Sequence, residues 1–476
     1  MKKLLLLPLV LWLASCCGNP AKECLNHPDW APDVKNALND FIGLFAGSGS
    51  YVVFDFDNTS SIFDIEENQM YYQLDNMCFA MSPERLEEVI ATDLDPAVYG
   101  DWVRDISAAY RHLYSEYGPF SWKGLDKETL SAVHGDPMWE EFASKMCCFY
   151  SFIESTSTHS VTYNWTKYWT VGMNDEQLDE LSFRSHTECS SMETVARVWK
   201  GSDGIKSLLG PKEYRFKMGF SVTENIRELW KALSGNGIDV WVCSASGMRQ
   251  VISAIDIFGL HDYCRGVLAM TISKDADGVY TNSYDYHGHG FLSIPGGGWK
   301  EDTLETGIQT CGPGKVTSIM NAIAPKYGGR GPRGCFMDST GDFNFCTEFG
   351  SIRLVVCFNR GDRKITDGGG LIAETAVYER DVLGYDLAKA NKAGDIFYVL
   401  QGRDDNGHRS FRPSNATLCL GASEERLFAG EANYRQLEYM KEHRMTVKEI
   451  LEKFSVKNGE YGFLDSYAGY RSIPDR

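Results

Sequence analysis

The alternation of apolar and polar positions predicts a core in which strands and helices follow one another. Apolar runs typical of buried strands lie at 51–54, 238–243, 334–337 and 352–358. Stretches with helical spacing lie before and between them, at 34–45, 224–233 and 315–323. Strands separated by helices are typical of a parallel sheet with helices on its faces. The pattern therefore predicts an α/β fold.

Residues 62–220 follow a different pattern and interrupt this core after its first strand. They are rich in Tyr, Trp, Met and acidic residues, with helical spacing at 83–90 and 175–181 and no evident buried strand. At 476 residues, the chain also exceeds what one hydrophobic core usually serves. We therefore expect a mostly helical inserted domain at 62–220. The core is expected to comprise 16–61 and 221–476, including a C-terminal extension.

The first residues have the form of a bacterial lipoprotein signal. Lys2 and Lys3 precede an apolar run at 4–13 that is too short to span a bilayer. The run ends in Leu13-Ala14-Ser15-Cys16, which resembles a lipobox and implies a signal peptide at 1–15 and a lipid on Cys16. Because no Asp follows Cys16, we expect anchoring to the outer membrane, facing the periplasm. The alternative is a soluble secreted protein that is cleaved after a small residue.

Composition and charge narrow the possible partners. The chain is 43% hydrophobic and 24% charged, which is typical of a globular protein. With 47 basic and 65 acidic residues, its formal charge is −18. Nucleic acids and anionic lipid surfaces are bound by basic surfaces, which release counterions from the phosphates. The charge therefore argues against these partners and suits a cationic ligand, while the oligomeric state stays open.

Two carboxylates stand directly behind the first predicted strand. In Asp55-Phe56-Asp57, residues two apart point to the same side of an extended chain. Both side chains can therefore face the carboxyl edge of the sheet, where ligands bind in open α/β folds. Taken alone, the pair is equally compatible with capping and solvation of a turn.

Three later segments place further chemistry at the same edge. Ser244 follows a predicted strand and opens a turn into a helix, so Ser244 and its neighbour Ala245 are candidate phosphate contacts. Lys315 follows a glycine turn and can offset the charge of a phosphate and a carboxylate. Asp338 ends a strand and Asp342 follows four residues later, a spacing that suits two oxygen ligands of a hard cation such as Mg²⁺.

The combination of these segments resembles the four motifs of the haloacid dehalogenase superfamily. The matching residues, in chain order, are Asp55-x-Asp57-x-Thr59, Ser244, Lys315 and Asp338-Ser339-x-x-Asp342. The resemblance covers about 50–62 and 222–358. The insertion stands where this superfamily places a cap of the C1 type. The resemblance implies a Rossmann-like parallel core, with the cap at 62–220 setting substrate specificity.

The resemblance also implies roles for the matching residues. Asp55 would be the nucleophile that takes the phosphoryl group. Asp57 would protonate the leaving oxygen and then deprotonate the attacking water. Two covalent steps are useful only when an acid/base group stands beside the nucleophile, as Asp57 does. Ser244 and Lys315 would hold the transferring oxygens, and the substrate site would also include Thr59 and Ala245.

Magnesium is the cofactor that the resemblance implies. Its ligands would be Asp55, the backbone carbonyl of Asp57, Asp338 and Asp342. One departure is Met337, because these motifs often carry Gly immediately before the first of the two later aspartates. This departure leaves the division of the metal contacts open.

A finer resemblance concerns the substrate. The stretch Asp64-Ile65-Glu66-Glu67 looks like the corresponding part of secreted bacterial phosphorylcholine phosphatases, and phosphoserine phosphatases carry an acidic residue near Asp64. Both groups hydrolyse phosphate esters with a cationic nitrogen. The resemblance therefore implies that Asp64, Glu66 and Glu67 contact such a group. The alternative is a solvated helix start that the helix dipole stabilises.

Four aromatic residues of the inserted domain are candidates for the same role. Tyr163, Trp165, Tyr168 and Trp169 lie within seven residues. Aromatic faces beside carboxylates bind quaternary ammonium groups, which makes Trp165 and Trp169 candidate substrate contacts. The same spacing also fits the buried face of a helix.

Three functions are compatible with these features to different degrees. A Mg²⁺-dependent phosphomonoesterase of a small amino-alcohol phosphate, such as phosphorylcholine or phosphoethanolamine, accounts for all of them. A phosphoserine phosphatase-like enzyme, or a phosphotransferase acting on another small phosphorylated metabolite, would use the same core. A binding lipoprotein without turnover is disfavoured, because the nucleophile, the acid/base and the lysine are all present.

The lipobox generates a prediction that mass spectrometry can check. We expect the mature protein to begin at Cys16, to carry a lipid there and to fractionate with membranes. Cys16→Ser retains the apolar run but lacks the thiol that takes the lipid, so this variant should carry none. An unmodified N-terminus at any other residue would contradict the assignment.

Overall fold

The structure is a computed structural model, and it describes residues 24–286, 289–305, 309–359, 368–404, 410–413, 436–454 and 469–475. The predicted signal peptide and Cys16 lie outside the described residues. Within the described ranges, no helix is both long enough and apolar enough to cross a membrane.

Strands and helices alternate over 224–270 and 313–404, whereas seven helices follow one another after the first strand. The strands are β1 (Ser50–Phe54), β2 (Val195–Lys200), β3 (Glu213–Met218), β4 (Ile238–Gly247), β5 (Cys264–Met270), β6 (Ile272–Lys274), β7 (Tyr280–Tyr284), β8 (His289–Ser293), β9 (Trp299–Glu305), β10 (Gly334–Met337), β11 (Leu354–Asn359), β12 (Phe397–Asp404) and β13 (Ser410–Arg412). The α-helices are α1 (Pro32–Phe45), α2 (Ile65–Asn76), α3 (Pro83–Ile90), α4 (Pro96–Tyr117), α5 (Lys127–Gly135), α6 (Pro137–Thr156), α7 (His159–Lys167), α8 (Asp175–Ser191), α9 (Glu224–Gly235), α10 (Met248–Ile257), α11 (Pro313–Ser318), α12 (Phe343–Thr347), α13 (Gly368–Tyr378), α14 (Leu387–Ala393), α15 (Leu437–His443) and α16 (Val447–Phe454).

One large sheet forms the centre of the fold. Its nine strands follow the order β13-β12-β11-β10-β1-β4-β5-β8-β9. The six strands from β12 to β5 are parallel, and antiparallel strands extend both edges. The predicted fold class is confirmed: the protein is α/β, with a parallel-dominated sheet flanked by helices, as in a Rossmann-like core. Because β1 lies inside the parallel part, residues that follow it reach the middle of the carboxyl edge.

The central strand is apolar throughout because both faces of the sheet are covered. All five residues of β1 are buried. Val52 and Phe54 belong to the hydrophobic cluster that includes residues of α1 and α9, whereas Tyr51 and Val53 belong to the cluster that includes residues of α13 and α16. This alternation follows from the two-residue period of a strand. Asp55 directly follows the strand at its carboxyl end.

Helices α2–α8 and the hairpin β2–β3 form the domain inserted after β1, termed the cap. Its two connections to the core run side by side, since Ile62 and Ser221 exchange backbone hydrogen bonds of 2.7 and 3.2 Å. The hairpin is the part of this mostly helical cap that the sequence pattern did not indicate. Only Trp199, Phe216 and Met218 are buried in it, so the sequence contains no apolar run there.

A second hairpin, β6–β7, belongs to the core and fastens the cap at another place. Tyr280 donates its backbone N–H to the carbonyl of Met173 (2.8 Å) and accepts from the N–H of Gly172 (3.0 Å). Asp175, the first residue of α8, pairs with Lys274 of β6 (2.6 Å) and with Arg249 of α10 (2.8 Å). The cap is therefore tied to the core beyond its two chain connections.

The C-terminal extension is part of the sheet. Its strand β12 pairs in parallel with β11, and all eight of its residues are buried. The sequence predicts a strand only at 397–400, because buried polar residues follow, among them Gln401 and Arg403. These polar side chains stand at the carboxyl end of the strand, on the same edge as Asp55.

Candidate active site

Carboxylates from neighbouring strands meet at the middle of the carboxyl edge. β1 and β10 are parallel neighbours with Phe54 opposite Phe336, so Asp55 and Asp338 emerge side by side. Asp342 joins them from the 3₁₀ turn after β10. One carboxylate oxygen from each of the three aspartates lies within 4.8 Å of the others. All three side chains are buried.

Lys315 supplies positive charge to this group. Its Nζ donates to Asp55 Oδ1 (2.7 Å) and to Asp342 Oδ1 (2.6 Å), and its side chain is 2% exposed. The turn before α11 allows the approach, because Gly312 has a φ of +51°, a region that favours glycine. Burial lowers the pKa of Lys315, but Asp342 and Asp55 outweigh burial and hold that pKa well above its ordinary value.

The three carboxylates carry more negative charge than one lysine offsets. Burial raises the pKa of Asp55, and Asp342 raises it further, against the opposing effect of Lys315. Burial likewise raises the pKa of Asp342. A buried group with this excess of negative charge is stabilised by a further cation.

Asp57 is held by donors from two different elements. Its Oδ1 accepts from the backbone N–H of Ile65, the first residue of α2 (2.8 Å), and its Oδ2 accepts from the hydroxyl of Ser246 on β4. Burial raises the pKa of Asp57, and Asp64 raises it further. A carboxyl group with a raised pKa can donate a proton near neutral pH. Ser246 was not predicted, because the sequence pattern ends the strand at 243 and marks only Ser244, the first residue after it.

Thr59 is buried behind the carboxylates and holds them in place, which corrects its predicted role as a substrate contact. It is 1% exposed, and its hydroxyl lies within hydrogen-bond distance of Asp55 Oδ2 (3.2 Å) and Asp338 Oδ1 (3.1 Å). The hydroxyl therefore fixes two carboxylates relative to each other. Thr59 does not belong to the described lining of the adjoining cavity.

A cavity of about 250 Å³ lies between core and cap, and Asp55, Asp57, Lys315, Asp338 and Asp342 form one end of it. The described residues that line it are Asp55, Asp57, Asn58, Asp64, Glu66, Glu67, Met70, Tyr150, Glu154, Tyr163, Thr166, Ser244, Ala245, Ser246, Cys311, Lys315, Asp338, Ser339, Gly341 and Asp342. Eight of these residues are acidic and one, Lys315, is basic. The volume of the cavity suits a small metabolite. Its negative charge suits a ligand that carries a positive group or binds next to a metal cation.

Ser244 and Ala245 lie in the lining within β4, whereas the sequence predicted a turn at Ser244. β4 continues to Gly247 and α10 begins at Met248. The hydroxyl oxygen of Ser244 accepts from the backbone N–H of Ser246 (3.2 Å). Its O–H can therefore donate to a ligand in the cavity.

The acidic stretch at the start of α2 combines both roles considered for it. Asp64 caps the helix, because its Oδ1 accepts from the backbone N–H of Glu67 (2.9 Å). Asp64, Glu66 and Glu67 also all line the cavity. Glu67 accepts in turn from the hydroxyl of Tyr71 (3.3 Å). A helix-start role therefore does not remove these carboxylates from the site.

Glu66 differs from Glu67 because it is paired with a buried cation. Its Oε2 accepts from Lys167 Nζ (2.6 Å) and from the hydroxyl of Thr166 (3.2 Å), and the residue is 8% exposed. Burial raises the pKa of Glu66, and Lys167 opposes that rise. Glu66 therefore offers a cationic ligand less net charge than the sequence suggested.

Two residues of α6 at the cap end of the cavity were not predicted. Tyr150 and Glu154 are four residues apart and share one face of the helix. Glu154 is exposed, which places it at the cavity opening. Tyr163 of α7 lines the same end. No local signal marks Tyr150 or Glu154, because an aromatic and an acidic residue on a helix commonly serve only core and solvent.

Trp165 and Trp169 do not reach the cavity, which corrects their predicted role as substrate contacts. Both are 1% exposed. Their rings pack against each other edge to face, with centroids 5.6 Å apart, and Trp165 packs in the same way on Phe149. Trp165 Nε1 donates to the carbonyl of Ile90 (3.0 Å). Their spacing is therefore that of a buried face, the alternative considered from sequence.

The donor set at the core end fits Mg²⁺. This cation prefers carboxylate and other oxygen ligands, and Asp55, Asp338 and Asp342 present such atoms close together. The excess negative charge there gives an electrostatic reason for a cation. Asp57 enters the predicted set through its backbone carbonyl, while its side chain is bonded to Ile65 and Ser246.

Comparisons with known proteins bear on the fold. No protein-family model and no curated protein matches the chain. A solved conserved protein of unknown function from Anaerococcus prevotii DSM 20548 is similar with a TM-score of 0.64 and 23% identity, over 82% of this chain and 97% of that chain. This similarity shows a shared fold. Cytosolic 5'-nucleotidase IIIB bound to cytidine matches 79% of this chain and 86% of that chain at 13% identity, with a TM-score of 0.28 that supports no conclusion.

Mg²⁺ should stabilise the folded protein by binding at Asp55, Asp338 and Asp342. A ligand that binds only the folded state raises the midpoint of thermal unfolding. Addition of Mg²⁺ to chelator-treated protein should therefore raise that midpoint. Asp338→Asn should weaken Mg²⁺ binding, measured by titration calorimetry, by at least about tenfold.

The matched control for this titration is Asp262→Asn. The Asp262 side chain is 75% exposed and lies outside the described cavity lining, so this variant should bind Mg²⁺ as the wild type does. Equal affinities in the wild type and in Asp338→Asn would exclude the assigned site.

Proposed function

We propose that the protein is a Mg²⁺-dependent phosphomonoesterase of a small amino-alcohol phosphate and works through an aspartyl-phosphate intermediate. The observation that carries the proposal is the core end of the cavity, where Asp55 and Asp57 lie together with Lys315, Asp338 and Asp342. This arrangement supplies a nucleophile, an acid/base and a cation site in one place.

In the proposed reaction Asp55 is the nucleophile and Asp57 is the acid and then the base. A carboxylate oxygen of Asp55 bonds to phosphorus, and the bond from phosphorus to the ester oxygen breaks with its electron pair on that oxygen. Asp57 gives its proton to the same oxygen, so the alcohol leaves with a neutral hydroxyl. Water then bonds to phosphorus while losing a proton to Asp57, and Asp55 is released as a carboxylate.

Two further side chains support this chemistry. The ammonium of Lys315 lies 2.7 Å from Asp55 Oδ1 and so stands beside the attacking group. The hydroxyl of Ser244 lines the same space and can donate to a phosphoryl oxygen. Mg²⁺ held by Asp55, Asp338 and Asp342 would supply charge neutralisation between carboxylate and phosphate.

The cap end of the cavity supports a substrate with a cationic group. Glu67 and Glu154 lie there with the rings of Tyr150 and Tyr163. Carboxylates beside aromatic faces bind ammonium groups, at about 0.5 to 2 kcal/mol per cation–π contact. A cavity of about 250 Å³ admits an ester of the size of phosphorylcholine or phosphoethanolamine.

Phosphoserine suits this cavity less well. It carries a carboxylate beside its ammonium group, and Lys315 is the one basic residue in the described lining. Lys315 is bonded to Asp55 and Asp342 at the phosphate end. Amino-alcohol phosphates lack that carboxylate and need no second basic partner.

We also propose that the enzyme works in the bacterial cell envelope, held by a lipid on Cys16. The support for this location is the sequence Leu13-Ala14-Ser15-Cys16 behind a short apolar run. A lipid at this position, in the outer membrane, would place the cavity in the periplasm.

Asp55→Asn should abolish turnover, because the amide that replaces the carboxylate cannot form the acyl phosphate. Asp57→Asn should slow turnover by about 10² to 10⁴, the usual contribution of a general acid/base. Release of phosphate measures both effects, on a panel of phosphorylcholine, phosphoethanolamine, phosphoserine and sugar phosphates with and without Mg²⁺.

Asp262→Asn controls for the loss of a surface carboxylate and should keep the wild-type rate. Turnover retained by Asp55→Asn, in a preparation free of other phosphatases, would exclude the covalent mechanism. A wild type that is inactive across the panel, with Mg²⁺ present, would overturn the proposed function itself.

Neutralising Glu67 and Glu154 together with Gln should lower kcat/KM for phosphorylcholine by about tenfold and leave a neutral-alcohol phosphate of similar size nearly unchanged. A lost contact to the cationic nitrogen of about 1.4 kcal/mol corresponds to that factor. Steady-state kinetics on the two esters measures the difference.

Two single variants sharpen this comparison. Glu128→Gln alters an exposed residue of α5 outside the described lining and should change neither ester. Glu66→Gln should impair both esters alike, because it leaves Lys167 buried without its partner. Equal losses for both esters in the Glu67 and Glu154 double variant would mark these residues as structural.

A further inference from the structure

Arg403 is a buried cation that the proposed mechanism does not use. It lies on β12, in the C-terminal extension, and is 1% exposed. Burying a guanidinium group is costly unless its N–H groups are hydrogen-bonded. The partners of Arg403 therefore indicate which part of the molecule requires it.

Two of these partners belong to the loop that follows β1. Arg403 Nη1 donates to the backbone carbonyl of Asn58 and to that of Ser61, the latter at 3.2 Å. The two carbonyls lie 345 and 342 residues away in sequence. They flank Thr59, and Asn58 directly follows Asp57. One guanidinium group therefore spans the loop that carries the acid/base.

The loop satisfies other backbone groups by itself. The N–H groups of Thr59, Ser60 and Ser61 all donate to the carbonyl of Phe56, at 3.3, 2.8 and 3.0 Å. Asn58 adopts a φ of +58°, which a non-glycine residue keeps only where its surroundings fix it. Arg403 supplies such a fixed contact at the carbonyl of the same residue.

We propose that Arg403 is a positioning residue of the active site, acting through the carbonyls of Asn58 and Ser61. The kinetic part of this inference rests on the proposed phosphatase function. The loop carries Asp57, and Thr59 contacts both Asp55 and Asp338. Displacement of the loop therefore moves the acid/base and disturbs two further carboxylates. The C-terminal extension thereby becomes part of the catalytic apparatus.

The direct test replaces Arg403 and separates kcat from KM. Arg403→Met keeps an apolar stem and removes the donors, so kcat should fall by about 10² with little change in KM, as expected for misplaced groups. Arg403→Lys restores a donor without the planar fork and should recover part of the lost kcat.

Arg353→Met is the matched control. Arg353 precedes β11 at the opposite edge of the sheet, and its Nη1 likewise donates to two carbonyls, those of Gly350 (2.8 Å) and Ile352 (2.9 Å). Its loss should lower the thermal unfolding midpoint but leave kcat unchanged. Equal kcat in Arg403→Met and Arg353→Met would overturn the positioning role.

Hydrogen–deuterium exchange gives a readout that needs no turnover. Arg403→Met should speed exchange of the amides of residues 59–61, and Arg353→Met should not. Faster exchange in Arg403→Met, combined with a wild type that hydrolyses no ester, would support the contact between Arg403 and the loop but overturn the proposed function. Unchanged exchange would overturn the inference. Should Arg403→Met fail to fold, the same comparisons between Arg403→Lys and Arg353→Lys decide.

Discussion

The ion pairs of Lys315 with Asp55 and Asp342 are the interaction on which the arrangement of the site depends. They join three separate segments, behind β1, in α11 and after β10, at a place where burial makes an unpaired charge costly. The neighbouring Asp338 adds a third buried carboxylate, so this pairing stays incomplete. The same contacts thus explain why the edge is held together and why it suits a further cation and a phosphoryl group.

Both ends of the cavity are acidic, and they differ in the cations that lie beside the carboxylates. In the cap, Lys167 offsets Glu66, and Asp64, Glu67 and Glu154 also line the cavity. At the core end, Lys315 and a bound cation would present positive charge to a negatively charged group of the ligand. A substrate of the proposed class, with a phosphate at one end and a positive nitrogen at the other, would place the phosphate beside these cations and the nitrogen beside the carboxylates of the cap.

Sequence patterns predict those parts of the molecule that are locally unambiguous. β1 and β10 can be predicted because an apolar run buried on both faces is followed at once by a carboxylate. Lys315 can be predicted from the glycine turn before it. The roles of Ser246 and Arg403 cannot be predicted, because their hydrogen-bond partners lie 189 and 345 residues away in sequence and only the packing of the fold brings them together. Trp165 and Trp169 show the converse, since one spacing fits both a ligand cage and a core and only burial distinguishes them.

The central position of β1 determines when, during synthesis of the chain, the parts of the site can come together. Its two neighbours in the sheet, β4 and β10, and the strand that carries Arg403 all leave the ribosome long after Asp55 and Asp57. A nascent chain that already contains both aspartates still lacks the strands that flank them, Lys315 and the later carboxylates. Pairings of such large sequence separation also form slowly. The candidate site therefore cannot be complete before the residues up to Arg403 have been synthesised.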